Sequence, residues 1–167
     1  MIYVISDTHF GHRKLEEYED RKPGFEKDII RKWNNVVKPT DTVIHLGDWC
    51  LGKYKHLSNS KTISYWRGKL QGNVILVRGN HDRETCEWYM NHEFQFCCDR
   101  FDMTYRGKRL CFTHKPIPIG NFDYNIHGHS HGNAHRDEEH CDFYGERHIE
   151  ISIEKMGSVI SLKSLVE

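Results

Sequence analysis

At 167 residues the chain is long enough for one domain with its own core and too short for two ordinary ones. A hydrophobic fraction of 37% excludes a disordered chain, and no apolar run approaches the roughly 20 residues that span a bilayer. Lys+Arg and Asp+Glu balance at 24 each, which excludes a large basic field and leaves no extended nucleic-acid surface evident.

In chain order, Ile2-Tyr-Val-Ile-Ser6 is a short β-branched run, expected as a buried strand that stops at Asp7. It has no basic segment before it, so the chain is expected to be cytoplasmic. After a Pro23-Gly24 turn, apolar residues at Phe25, Ile29, Ile30, Trp33, Val36 and Val37 fall at helical spacing. Thr42–Leu46 is a second strand, residues 58–70 a second helix, and Val74–Val77 a third strand. The segment 83–98 has no clear period. Phe101–Thr113 is expected as a hairpin around Arg106-Gly107-Lys108, and Tyr124–Ile126 as a short strand. Residues 132–147 are polar and loop-like. His148–Glu154 and Val159–Leu162 alternate, and are expected as two strands joined near Gly157.

Chemistry-bearing residues follow directly on these strands: Asp7 and His9, Asp48, Asn80 and His81, His114, and His129 and His131. In open α/β sheets ligands sit at the carboxyl ends of strands, so five strand ends would deliver these groups to one edge. Alone, each motif has an ordinary explanation. Asp7-Thr-His9 is a common solvated loop pair, Gly47-Asp48 a turn, and Gly79-Asn80 a tight turn that leaves His81 and Asp82 unexplained. On extended chain, residues i and i+2 share a side, so Asp7 with His9, and His129 with His131, could each grip one cation. The chain also carries thirteen histidines, well above ordinary usage, with seven between His114 and His148. None of the six cysteines forms a C-x-x-C pair, so they are expected as reduced thiols. A ligand set of oxygens and nitrogens suits Mn²⁺, Fe, Zn²⁺ or Ni²⁺, and two Asp, one Asn and four His exceed what one tetrahedral ion needs.

The ordered set Asp-x-His, Gly-Asp, Gly-Asn-His-Asp, single His and Gly-His-x-His resembles the calcineurin-like metallophosphoesterases. It runs from Asp7 to His131, about three quarters of the chain. The resemblance implies an α/β (α+β) fold, a two-sheet β-sandwich flanked by helices, with residues 1–167 as a single metallophosphoesterase domain. It implies two divalent metal ions, Mn²⁺ favoured over Fe, Ni or Zn. Asp7, His9 and His131 would hold the first, Asp48 would bridge, and Asn80, His114 and His129 would hold the second. His81 would face the scissile phosphate, with Asp82 orienting its imidazole. A metal-bridging hydroxide would attack phosphorus. The brevity of the chain looks like the small, uncapped bacterial and phage-associated members. After Asp48 comes Trp49-Cys-Leu-Gly52 in place of the Gly-Asp-Arg-Gly of the protein phosphatases, so protein phosphatase activity is not implied.

His12 and Arg78 are expected as possible substrate contacts. His127 is expected to hydrogen-bond behind a ligand, and His45 to be a satisfied core histidine. Phe10, Trp49, Tyr54, Phe122 and Tyr124 could stack a nucleobase or simply pack. The expected substrate is a small phosphodiester, a nucleotide, cyclic nucleotide or nucleic-acid end. The alternatives are a phosphomonoester phosphatase, a metal-binding non-catalytic scaffold, and a structural zinc protein using the His114–His148 cluster.

Overall fold

The computed structural model describes residues 1–18, 21–51, 54, 56–132 and 145–167. Strand β1 (Ile2–Ile5) is followed by a short helix α1 (Leu15–Tyr18) and the amphipathic helix α2 (Phe25–Val36), which buries Phe25, Ile29 and Trp33 on one face. Strand β2 (Thr42–His45), helix α3 (Asn59–Arg67) and strand β3 (Asn73–Val77) come next, with the Ser58 hydroxyl capping α3 by accepting from the Lys61 amide. The unassigned segment folds as helix α4 (Cys86–Met90), capped in the same way by Thr85, and strand β4 (Phe96–Cys98). Strands β5 (Arg100–Tyr105) and β6 (Lys108–Thr113) form the expected hairpin. Its Arg106-Gly107 loop has φ of 51° and 77°, the primed-turn geometry that matches strand twist. Strands β7 (Tyr124–His127) and β8 (His148–Glu150) lie beside it.

The C-terminal pair of strands is a correction. Strand β8 stops at Glu150, and Ser152 caps a helical turn, α5 (Ile153–Met156), which Gly157 closes at φ 70°. Strand β9 (Ile160–Ser161) then pairs antiparallel with β1, in the other sheet, and α6 (Leu162–Val166) ends the chain. Alternation reported the buried side of Ile149 and Ile151 but carried no information on which sheet each strand joins. The cap at Ser152 turned the chain across. Residues 133–144, with His135, His140 and Cys141, and also Lys53 and Lys55, lie outside the described residues.

The first sheet has the order β4-β3-β2-β1-β9, with β1 to β4 parallel, and the second β5-β6-β7-β8, with β6, β7 and β8 parallel. Tyr3, Ile5, Val43, Val74 and Leu76 pack on the α2 and α3 side with Trp33 and Trp66. Their alternates Val4, Ile44 and Val77 meet Leu110, Phe112 and Ile126 of the second sheet. Each such fully buried side chain contributes roughly 1.5–3 kcal/mol. A one-residue slip would reverse both faces, so the register, and hence where each strand ends, is strongly fixed. Phe10 and Trp49 are fully buried and pack against Trp66 and Trp33, which places them in the core and excludes base stacking by either. Among the described residues no helix is long and apolar enough to cross a membrane.

His45 is a satisfied core histidine. Its Nδ1 accepts from the Gly47 amide, and its Nε2 meets the Thr8 hydroxyl at 2.9 Å, which in turn donates to the Trp49 carbonyl. Burial lowers its pKa to about 3. Below pH 6.5 the unfolded chain takes up a proton that the folded chain refuses, so stability falls as pH drops from 6.5 toward 3. His45→Gln should therefore be less stable at pH 7 yet flatten the decline between pH 6.5 and 5 by about 2 kcal/mol, as read by urea unfolding of the metal-free protein.

Candidate metal centre

The carboxyl ends of β1, β2, β3, β6 and β7 meet at one rim. The loops after β1 and β2 run side by side, with Asp7, His9 and Phe10 amides donating to the carbonyls of Gly47, Asp48 and Trp49. The loop after β7 is tied in by Gly128 N–H to the His114 carbonyl, and by Glu150, which accepts from the Ser130 hydroxyl and the Gly132 amide. Two glycines allow the closeness. A Cβ at Gly128 would lie 1.9 Å from Ser6 Oγ and 2.5 Å from Asp7 Oδ2, and one at Gly79 would lie 2.2 Å from Asp48 Oδ1.

Two groups of candidate ligands result, Asp7 with His9 and His131, and Asp48 with His114 and His129, the ligand atoms of each group within 4.8 Å of one another. In the first, His9 Nε2 lies 3.2 Å from His131 Nε2. Asp7 Oδ1, buried and without a hydrogen bond among the described residues, lies 3.8 and 3.6 Å from those two nitrogens. In the second, His114 Nε2 lies 2.9 Å from Asn80 Oδ1 and 3.0 Å from His129 Nδ1. Asp48 Oδ2 stands between them, 3.4 Å from His9 Nε2 and 3.5 Å from His114 Nε2. Imidazole nitrogens and carboxylate oxygens this close, buried and aimed at one another in place of donors, form a donor set that fits divalent cations.

The means of convergence differ from expectation. Asp7, His9, Asp48, His129 and His131 have φ of 57°, 46°, 55°, 77° and 51°, so left-handed backbone, and not extended i, i+2 spacing, turns these side chains inward. Non-glycine residues hold that conformation only where their surroundings over-determine it. His129 and His131 do not share one group; the turn sends them to different groups.

Asp82 requires a second correction. Its buried carboxylate accepts from the amides of Asp48, Trp49 and Gly79, at 2.7, 3.1 and 2.8 Å, while the His81 ring has no hydrogen bond to it and His81 Nδ1 has no partner among the described residues. Three converging N–H groups outbid one imidazole, so Asp82 locks the β2 and β3 loops together. Burial, then the Asp48 charge, pushes its pKa up to about 7. His81 is one-third exposed at the opening, its Nε2 3.9 Å from Asp48 Oδ2 and its amide donating to Asp48 Oδ1. His12 lies beside His9, ring centroids 5.5 Å apart. Arg78 is pinned by Asp99 and the Glu84 carbonyl at the edge of the centre. His127 is buried behind the ligands, with Nδ1 at 3.0 Å from the Gly128 carbonyl.

Arg21 and Glu154 were not foreseen. Arg21, buried, donates to the carbonyls of Asp7 and Thr8 and to Glu154 Oε1, at 2.6, 2.8 and 2.7 Å. Glu154 Oε2 lies 3.1 Å from His131 Nδ1, off the angle of a well-aligned hydrogen bond but close enough for its charge to act on the ring. Burial alone would lower the His131 pKa, but Glu154 and Asp7 together outweigh it and raise it. A carboxylate on the far nitrogen of a ligand histidine fixes its ring and raises its basicity. Nothing in local spacing marks either residue, since Arg21 precedes a turn and Glu154 ends an alternating run.

Residues 1–163 match the family described as the calcineurin-like phosphoesterase superfamily domain, and the chain belongs to that family. It is 35% identical over 144 residues to an uncharacterized protein of Methanocaldococcus jannaschii, covering 82% of this chain and 72% of that one. The crystal structure of a protein of unknown function from Aquifex aeolicus is similar over 99% of this chain and 97% of its own, with a TM-score of 0.77 and 30% identity. An archaeal phosphodiesterase shares the fold, with a TM-score of 0.55 and 21% identity over 98% of this chain and 94% of its own. Between Asn80 and His114 the chain is spent on α4, β4, β5 and β6.

Glu154→Gln should weaken Mn²⁺ binding about 10–100-fold by equilibrium dialysis while leaving the fold intact by circular dichroism. Unchanged affinity would deny Glu154 a part in orienting His131.

Proposed function

We propose that this phosphoesterase-family chain is a dinuclear-metal hydrolase of phosphodiesters, with Asp7, His9 and His131 as one ligand group, Asn80, His114 and His129 as the other, and Asp48 shared. The position of the Asp48 carboxylate between His9 and His114 carries this reading. When bound, two divalent cations would supply positive charge against the phosphoryl oxygens and lower the pKa of the attacking water.

The protein's own groups do the remainder. The left-handed turns hold the ligand side chains in place before any cation arrives, so little reorganisation is needed. His81, at the opening, is suited to donate through Nε2 to the departing oxygen. Water gives one proton to solvent and its oxygen bonds to phosphorus, the ester P–O bond breaks, and the leaving group departs with the proton His81 gives it, which His81 regains from solvent. His12 is suited to touch the substrate beside His9. Asp82 acts as a positioning residue, through the backbone of Asp48 and Gly79.

Diesters are favoured over monoesters because a diester has two substituents and two clefts open at the centre. One, of about 200 Å³, is bordered by His81, Cys50, Leu51, Ile63 and Arg83, and the other, of about 390 Å³, by Asn80 and His114. The archaeal neighbour of the same fold makes diesters the first compounds to assay.

Stripped protein given back Mn²⁺, Ni²⁺ or Zn²⁺ separately should hydrolyse an aryl phosphodiester faster than the matching monoester. His81→Ala should lower kcat about 10²–10⁴-fold with metal content unchanged, whereas Asp48→Asn should lower both. Activity restored on the monoester alone would favour a phosphatase, and none on either ester would favour a scaffold.

A further inference from the structure

We infer that the cleft beside Asn80 and His114 receives a second phosphate group of the substrate, carried on the substituent that stays on the scissile phosphorus. This rests on the phosphodiesterase reading above. The cleft's border includes two candidate ligand residues, so a molecule with its phosphorus at the centre extends into it. Arg78, Arg100 and Lys115 line it against one lining carboxylate, Asp99, a local surplus of cations in a chain whose formal net charge is zero.

The three cations are differently prepared. Arg78 is held by Asp99 and the Glu84 carbonyl and fills a structural role. Arg100 is paired in bidentate fashion with Asp102 and lies over the Phe122 ring, 5.6 Å from its centroid, which pre-sets its planar fork. That pair is half exposed, and an exposed ion pair of this kind is weak enough for a phosphate to compete. Lys115 has no carboxylate partner among the described residues. It follows His114 directly, and the Thr113 hydroxyl donates to its carbonyl at 2.6 Å, so the root of the side chain is fixed at the rim. Lys115, a residue of intermediate burial that lines this cleft with no carboxylate paired to it among the described residues, is left for an anion that arrives with the substrate.

The other cleft differs in character. Arg83 is matched there in formal charge by Glu84, so that cleft carries no surplus of cations and suits an uncharged leaving group on the His81 side. The substrate class is then a phosphodiester with a neutral leaving alcohol and a further phosphate on its other arm.

The test compares, on the Mn²⁺-loaded protein, thymidine 5′-(p-nitrophenyl phosphate) with the same ester carrying a 3′-phosphate. The phosphorylated ester should have at least tenfold higher kcat/KM, mostly through KM. Lys115→Met combined with Arg100→Gln should reduce that advantage to within twofold and leave turnover of the plain ester unchanged. Equal kcat/KM for the two esters in the wild type, or an advantage that survives the double variant, overturns the inference. A 3′-(methyl phosphate) ester mimics the next linkage of a nucleic-acid chain. Its matching the terminal phosphate points to an oligonucleotide end and its falling behind points to a small nucleotide, and either result carries the second-phosphate site. Turnover of the plain ester reports on the hydrolytic reading separately. If neither ester is cleaved, calorimetry of thymidine 3′,5′-bisphosphate against thymidine 5′-monophosphate decides, with at least tenfold tighter bisphosphate binding expected and equal affinities overturning the site.

Discussion

An ionised carboxylate removed from water costs on the order of several kcal/mol unless a cation answers it, and this fold buries two of them, Asp7 and Asp48, at neighbouring strand ends. Burial, with Asp48 nearby, raises the pKa of Asp7, and burial lowers that of His9 well below its ordinary value. Acid and base are thus both pushed toward their neutral forms in a space where Asp7 Oδ1 and His9 Nδ1 have no hydrogen-bond partner among the described residues. A divalent cation reverses that penalty for carboxylate and imidazole together. The rest of the molecule can be understood as the means of keeping these groups together in its absence.

Those means are backbone and packing. The parallel register of β1, β2 and β3 sets three loops side by side, and amide-to-carbonyl bonds between the first two hold them parallel beyond the sheet. Asp82 ties the β2 and β3 loops through three amides, and Glu150 ties the β7 loop from behind. The five left-handed ligand residues each store strain that the sandwich core sustains. Gly79 and Gly128 leave no room for a side chain where the loops touch the carboxylates.

The α2 stripe, the β-branched strands and the β5–β6 hairpin were legible because period and turn chemistry are local. The convergence of Asp7, Asp48, Asn80, His114, His129 and His131 was legible because each follows a strand, and strand ends share an edge in this topology. What could not be read has one cause, tertiary partner choice. Whether the run after His148 pairs with its own continuation or with β1 depends on the far side of the molecule. Asp82 sits next to His81 in sequence, but the three amides that claim it come from the turn's folded shape. Arg21 and Glu154 are remote in sequence from the motifs and from each other, and only the folded chain shows them bracing His131.

Anomalous diffraction from crystals grown with Mn²⁺ tests the central claim most directly. Two metal peaks should appear, one against Asp7, His9 and His131 and one against Asn80, His114 and His129, both in contact with the Asp48 carboxylate. A single peak, or two that do not share Asp48, would contradict the account.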